Sequence, residues 1–266
     1  MTLQHLFYLI YYWGNRSILG RFFLETYLQE VAMNKIGIIG AMDKEVSTLI
    51  SLMEIEKTVD KASLKFYIGS LKGKNVVLVQ CGIGKVNAAL CAQILISEFG
   101  VQAVVNTGVA GAIHSSLDVN DIVISTEAIE YDVDARAFGY EKGQIPQMEN
   151  SVFKADEKLI EAAYKSSLEQ VKNQDFKIVK GRVATGDIFI SSKELKDELD
   201  NDFKACCGEM EGGAIAHVCT LNNTPFVIIR AMSDKADGSA NVTYDEFVDK
   251  AAENSKDIVL RMLEAL

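Results

Sequence analysis

The chain is poor in everything that would mark a hinge, a staple or a polyanion surface. Only two prolines, Pro146 and Pro225, occur among 266 residues, and no stretch is of low complexity, so a linker between separate domains is not expected. None of the five cysteines (Cys81, Cys91, Cys206, Cys207, Cys219) has CxxC spacing. That argues against a zinc ribbon or a disulfide-stapled secreted domain, and for reduced cytoplasmic thiols in or near a core. Vicinal Cys206 and Cys207 are read as inert thiols in the same way. Three histidines, His5, His114 and His217, share no ligand spacing, so neither a metal nor a metal cofactor is expected. Lysines never form a run, and the formal net charge is −10. Such a chain repels phosphate backbones and anionic lipid, which argues against nucleic-acid and membrane partners.

Long hydrophobic runs are also missing. Leu6 to Trp13 is an apolar run of eight, far short of the roughly 20 residues of a spanning helix. It has no basic region before it and no small-residue cleavage site after it, so it is a poor signal peptide. Residues 1–32 are expected to lie outside the core. They read as a translated upstream segment ahead of a natural start at Met33, as an arm docked on the surface, or as a membrane-surface anchor. Residues 33–266 read as one domain.

What is present is a recurring unit, a short apolar run that ends in glycine or an acid and is often followed by a helical period. Ile36 to Ile39 leads into Gly40 and Glu45. Asn75 to Val79 leads into Gly82-Ile-Gly84-Lys85. Ala103 to Val105 leads into a glycine-rich turn, Asn106 to Gly111. Asp121 to Ser125, Ile178 to Val183 and Pro225 to Arg230 complete the set, the last leading to Ser233 and Asp234. Runs that are apolar throughout suit strands covered on both faces. Val86 to Phe99 predicts a helix with Val86, Leu90, Ile94 and Leu95 on its buried stripe, and Asp156 to Lys172 another with Leu159, Ile160, Ala163 and Leu168. Thr243-Tyr-Asp-Glu246 reads as a capping box opening the last helix. The expected fold is three-layer α/β, a central mixed twisted sheet flanked by helices.

In open α/β sheets ligands bind beyond the carboxyl ends of the strands, and there stand Glu45, both glycine-rich segments, Phe189 with Ile190, and Asp234. The glycines do not spell a phosphate loop: Gly82-Ile-Gly84 lacks the third glycine of a dinucleotide fingerprint, and no GxxxxGK precedes Ser or Thr. They suit close backbone approach to a flat uncharged ligand, or simply tight turns. Asp234 follows an apolar strand directly, where partial burial raises a carboxyl pKa and makes a proton donor near neutrality. Glu211 opens a small-residue segment, Gly212 to His217. Singly, each acid is more often a solvated charge; three acids at matching strand ends make a site.

Several of these segments together resemble the bacterial 5′-methylthioadenosine/S-adenosylhomocysteine nucleosidases. They are Lys35-Ile-Gly-Ile-Ile-Gly-Ala-Met42 with Glu45, Gly82-Ile-Gly-Lys85, Asn106-Thr-Gly108 with Ala110-Gly111, Ala137-Phe-Gly-Tyr140, Gly186-Asp187 with Phe189-Ile190, Glu209-Met-Glu211 with Ala214-Ile-Ala-His217, and Arg230-Ala231 with Ser233-Asp234. They run in order from Met33 to the C-terminal end. The resemblance implies a nucleoside phosphorylase-like fold, a homodimer, a small nucleoside substrate and no cofactor. Adenine would be held by the backbone at Ile190 near Phe189, with Asp234 facing N7 and Ser233 supporting it. Glu211 would hold the ribose hydroxyls with Met210 against the sugar. Glu45 would deprotonate the attacking water, with Arg230 in its polar network. Ile83 and Tyr244 would line the 5′-thio pocket, with Phe138 entering from the partner subunit. Val109 stands where relatives commonly carry Ser, and Tyr244 where Phe is usual.

The resemblance thus implies hydrolysis of the N-glycosidic bond of 5′-methylthioadenosine and S-adenosylhomocysteine, with 5′-deoxyadenosine a further substrate. Three rivals stand beside it: a phosphorylase on the same fold, a futalosine-type nucleosidase, and a non-catalytic nucleoside-binding protein. An ionised Glu45 sits badly beside a phosphate dianion, which favours water as the nucleophile.

Overall fold

The computed structural model describes residues 35–171, 176–237 and 240–266; the expectations for residues 1–32 lie outside them. Strand β1 (Ile36–Gly40) is buried along its whole length. It pairs in parallel with β4 (Lys74–Gln80) on one side and β5 (Ala103–Ala112) on the other. Beyond β4 the sheet continues antiparallel through β3 (Leu64–Leu71) to an edge strand, β2 (Glu54–Lys61). Beyond β5 it closes on itself. β10 (Phe226–Asp234) runs parallel to β5 and antiparallel to β6 (Ile122–Glu130). β8 (Ile178–Thr185) joins β6 to β9 (Ala205–Glu209), and β9 returns antiparallel to β5 at Gly111 and Ala112. A short β7 (Val152–Lys154) adds to β6. The expected mixed sheet is present, and five of its strands form a closed ring.

Helices cover this sheet: α1 (Asp43–Leu52), α2 (Lys85–Ser97), α3 (Glu157–Val171), α4 (Lys193–Asn201), α5 (Gly212–Leu221) and α6 (Ala240–Ala265), with a 3-10 turn at Arg136–Phe138. On α6, Ala251, Ser255, Ile258 and Met262 are buried at helical spacing and form its inner face.

Four local expectations need correction. Asn106 to Gly111 is no turn but the second half of β5, buried and paired with β10; its glycines admit neighbouring carboxylates, as described below. On α2 the buried residues are Ala88, Cys91, Ala92, Ile94 and Leu95, while Val86 is 79% exposed and Leu90 also faces outward. The helix is apolar all round, so periodicity could not choose its face. Leu168 of α3 is likewise exposed, and Ser167 takes the inner position. Helix α6 begins at Ala240, which puts residues 243–246 inside it and not at its cap. The β2–β3 hairpin was not foreseen because β2 buries none of its residues and carries no core signal.

Candidate active site

The ends of β1, β5, β9 and β10 meet around a cavity of about 230 Å³. It is lined by Glu45, Asp234, Glu211, Ile83, Phe189, Met210, Ser233 and Tyr244, together with Met42, Val109 and Glu209 among others. Eight of the eleven residues proposed from sequence are therefore in one wall. Ile190 lines an adjoining recess that shares Phe189, Met210 and Asp234 with the main cavity. Arg230 stands behind the wall, and Phe138 lies outside it, 84% exposed on the 3-10 turn.

Glu45 is the third residue of α1 and turns back over the helix start. Its Oε2 accepts from the amides of Ala41 at 2.7 Å and Met42 at 3.0 Å, and its Oε1 from the amide of Val109 at 3.0 Å. Acids in a first turn are favoured by the helix dipole and by these unpartnered amides. Two glycines make the arrangement possible. A β-carbon at Gly108 would collide with the Glu45 carboxyl group, and one at Gly111 would come 2.9 Å from Oδ1 of Asp234. Burial raises the pKa of Glu45, against the field of Arg230 and the three amides.

Asp234 ends β10 and is almost wholly buried. The amide of Ala236 donates to Oδ1 at 2.7 Å and the Ser233 hydroxyl to Oδ2 at 2.9 Å. Burial nonetheless raises its pKa above the ordinary value. Glu211 is the residue that leads into α5, and its Oε1 accepts from the amide of Gly84 at 2.8 Å. Burial raises its pKa, and the neighbouring Glu209 carboxylate adds to this; Arg230 and the Gly84 amide work in the opposite direction.

Glu209 was quoted in a motif but given no role from sequence, and it organises the cavity's floor. Its Oε2 accepts from Arg230 Nη2 at 2.5 Å, from the Gly212 amide at 2.7 Å and from the Glu211 amide at 3.1 Å. The Thr185 hydroxyl donates to its Oε1. Arg230 also donates to Asn106 Oδ1 at 2.6 Å, and Asn106 in turn to Ile39 O at 3.0 Å. The available signal was the Glu-Met-Glu spacing at the end of a strand, where residues two apart share a face. Tyr244 donates its hydroxyl to Met42 Sδ at 3.2 Å and meets Phe189 edge-on at 5.9 Å. Four carboxyl groups thus border a largely apolar slot, and among the described residues no Lys, Arg or His lines it.

His217 faces away from this cavity. It stacks on Phe153 with ring centres 4.7 Å apart and bonds Glu130 at 2.9 Å. All five cysteines are free, with only Cys206 less than fully buried. Among the described residues no helix is long and apolar enough to cross a membrane.

A family model for the phosphorylase superfamily matches residues 35–264. A 5′-methylthioadenosine/S-adenosylhomocysteine nucleosidase from Halalkalibacterium halodurans is 46% identical over 237 residues, covering 88% of this chain and 100% of that protein. The solved structure of the Neisseria meningitidis nucleosidase in complex with methylthio-immucillin-A is 41% identical with a TM-score of 0.82, covering 88% of this chain and all of the other. The Helicobacter pylori futalosine hydrolase is 34% identical, also with a TM-score of 0.82, over 88% of this chain and 99% of that one. With that agreement in sequence, fold and cavity, the chain belongs to the 5′-methylthioadenosine/S-adenosylhomocysteine nucleosidases of the phosphorylase superfamily.

Proposed function

We propose that this chain hydrolyses the N-glycosidic bond of 5′-methylthioadenosine and S-adenosylhomocysteine, and of 5′-deoxyadenosine, releasing adenine and the 5-substituted ribose for methionine salvage. The observation that carries the reading is that Glu45 and Asp234, distant in sequence, line one cavity with raised pKa values. Adenine leaves poorly as an anion. Asp234, whose pKa burial raises, gives N7 a proton as the C–N bond breaks. The ribosyl fragment becomes cationic, and the carboxylate of Glu211 holds its hydroxyls and favours the developing charge. Glu45, held rigid by three amides, takes a proton from the water that adds to the anomeric carbon. An acid and a base each contribute typically 10²–10⁴-fold, about 3–5 kcal/mol.

Ile190 and Phe189 hold the base, Met210 packs on the sugar, and Ile83 with Tyr244 receives the 5′ substituent. Arg230 acts through Glu209 and the field it exerts on Glu45. Residues 33–266 are assigned as the nucleosidase domain, in keeping with the match over 35–264. The working unit is a cytoplasmic homodimer in which Phe138 of one subunit reaches the cavity of the other. The exposure of Phe138, Val86, Leu90 and Ile83 supports a covering partner.

A phosphorylase is disfavoured because a phosphate dianion needs cations, and the charged groups among the described residues of the cavity wall are all acids. Incubating the protein with methylthioadenosine in phosphate-free buffer should release adenine at a rate that added phosphate does not raise. Strict dependence on phosphate would overturn the hydrolytic reading, and no adenine from any adenosine derivative would leave a binding protein. Turnover of futalosine alone would favour the other nucleosidase.

A further inference from the structure

The cavity is bordered by two pieces of chain that no strand pairing joins directly. Ile83 sits on the turn between β4 and α2, and Phe189 on the segment after β8. We propose that Lys85, Asp132 and Asp187 form a clamp that fixes the distance between these two borders, and are positioning residues for a nucleoside bound between them; this rests on the nucleosidase reading above.

Three bonds of the clamp close a circuit, and a fourth branches from it. Lys85 Nζ donates to Asp132 Oδ1 at 2.6 Å, and Asp132 Oδ2 accepts from the Asp187 amide at 3.0 Å. Asp187 Oδ1 then accepts from the Lys85 amide at 2.8 Å. Lys85 Nζ also donates to Glu130 at 3.0 Å. The Lys85 and Asp132 side chains are each only 18% exposed, so solvent screens the pair less than an ordinary surface pair. Glu130 is tied onward to His217, which lies within α5, the helix that Glu211 leads into.

What the circuit holds is functional on both sides. Gly84, the residue before Lys85, donates its amide to Glu211 Oε1, and it does so with φ +98°, a conformation that favours glycine. Ile83 precedes it in the cavity wall, and Phe189 follows Asp187 by two residues. An added β-carbon at Gly84 would come 3.1 Å from Asp187 Oδ1, so the two segments already touch at this point. Breaking the clamp frees the turn that orients Glu211 and carries Ile83. When only the Lys85 side chain is removed, the Asp187 amide keeps its bond to Asp132 Oδ2, so the Phe189–Ile190 segment that holds the purine ring is left in place.

Calorimetric titration of the full chain with methylthio-immucillin-A and, separately, with adenine tests this. Lys85→Met should weaken the nucleoside analogue roughly thirtyfold while leaving adenine within about twofold, and Lys85→Arg should restore most of the loss. Asp132→Asn, nearly isosteric, should show the same selective loss at about tenfold and serves if Lys85→Met does not fold. Equal losses for both ligands, no loss, or an arginine variant as weak as the methionine one would overturn the clamp. Binding is read, not turnover. A wild-type protein that binds the analogue tightly but releases no adenine therefore sinks hydrolysis alone, whereas one that binds it no tighter than adenine sinks the clamp.

Discussion

Gly108 and Glu45 share the space of one side chain: a β-carbon at 108 would stand 2.3 Å from Oε1 of Glu45 and 2.8 Å from its Cδ. Gly108→Ala must therefore push the carboxyl group out of its three amide bonds. The variant should fold and lose at least about 100-fold in kcat/KM, on the scale of misplacing a positioned catalytic group. A variant with near-normal adenine release would mean that Glu45 tolerates displacement and is not the base.

Glu45→Gln and Asp234→Asn keep shape but remove one proton acceptor and one proton donor. Each should leave a folded protein with adenine release reduced by 10³-fold or so. Steady-state assay with circular dichroism as a folding control decides this. Retained turnover in either variant removes the role assigned to that residue.

The pH profile carries a sign that can be checked. In the proposed mechanism Asp234 acts protonated and Glu45 ionised, so with the Asp234 pKa the higher of the two the alkaline limb of kcat/KM belongs to Asp234 and the acid limb to Glu45. The Ser233 hydroxyl bonds the ionised form of Asp234 and so holds that pKa down. Ser233→Ala should move the alkaline limb up, by a few tenths of a unit to about one unit, and leave the acid limb where it was. An alkaline limb that stays put or moves down is incompatible with Asp234 as the donor.

Glu211 costs stability where it is ionised. Its folded pKa is raised above the ordinary 4.5, so the cost is fully present above the folded value and absent below the unfolded one. Glu211→Gln should raise the thermal midpoint by a few degrees, roughly 2–4 °C, in alkaline buffer while turnover collapses. The gain should shrink as pH falls toward 4.5. A midpoint lowered in alkaline buffer would show that the ionised carboxylate stabilises the fold.

Arg230 and Glu209 are both buried to within a few per cent and bonded at 2.5 Å. Arg230→Met strands Glu209 and should cost about 3–5 kcal/mol by denaturant unfolding, with a large part recovered when Glu209→Gln is added. Purely additive losses would mean that the two are energetically independent.

Much of the site was legible because strand ends are marked by an apolar run meeting an acid, as at Ile229 to Asp234, and topology then gathers such ends. Glu209 escaped because its partner Arg230 lies 21 residues away on another strand, and no spacing rule links them. The second half of β5 was read as a turn because Gly108 and Gly111 have turn chemistry. What they supply is room for two carboxylates, a reason that exists only once β10 and α1 are packed against them. The outward face of α2 was missed for a related cause, since an evenly apolar helix does not announce which side a neighbour will cover.

The ring formed by β5, β10, β6, β8 and β9 leaves those strands no long unpaired flank. At the far end the sheet stops, among the described residues, at β2, whose Glu54, Glu56, Lys57, Asp60 and Lys61 are all exposed. A strand dense in charged side chains is a poor template for strand-by-strand addition. The half of the molecule that carries the cavity is thus insulated from amyloid-like growth by closure, and the other half by charged side chains that an incoming strand would have to desolvate.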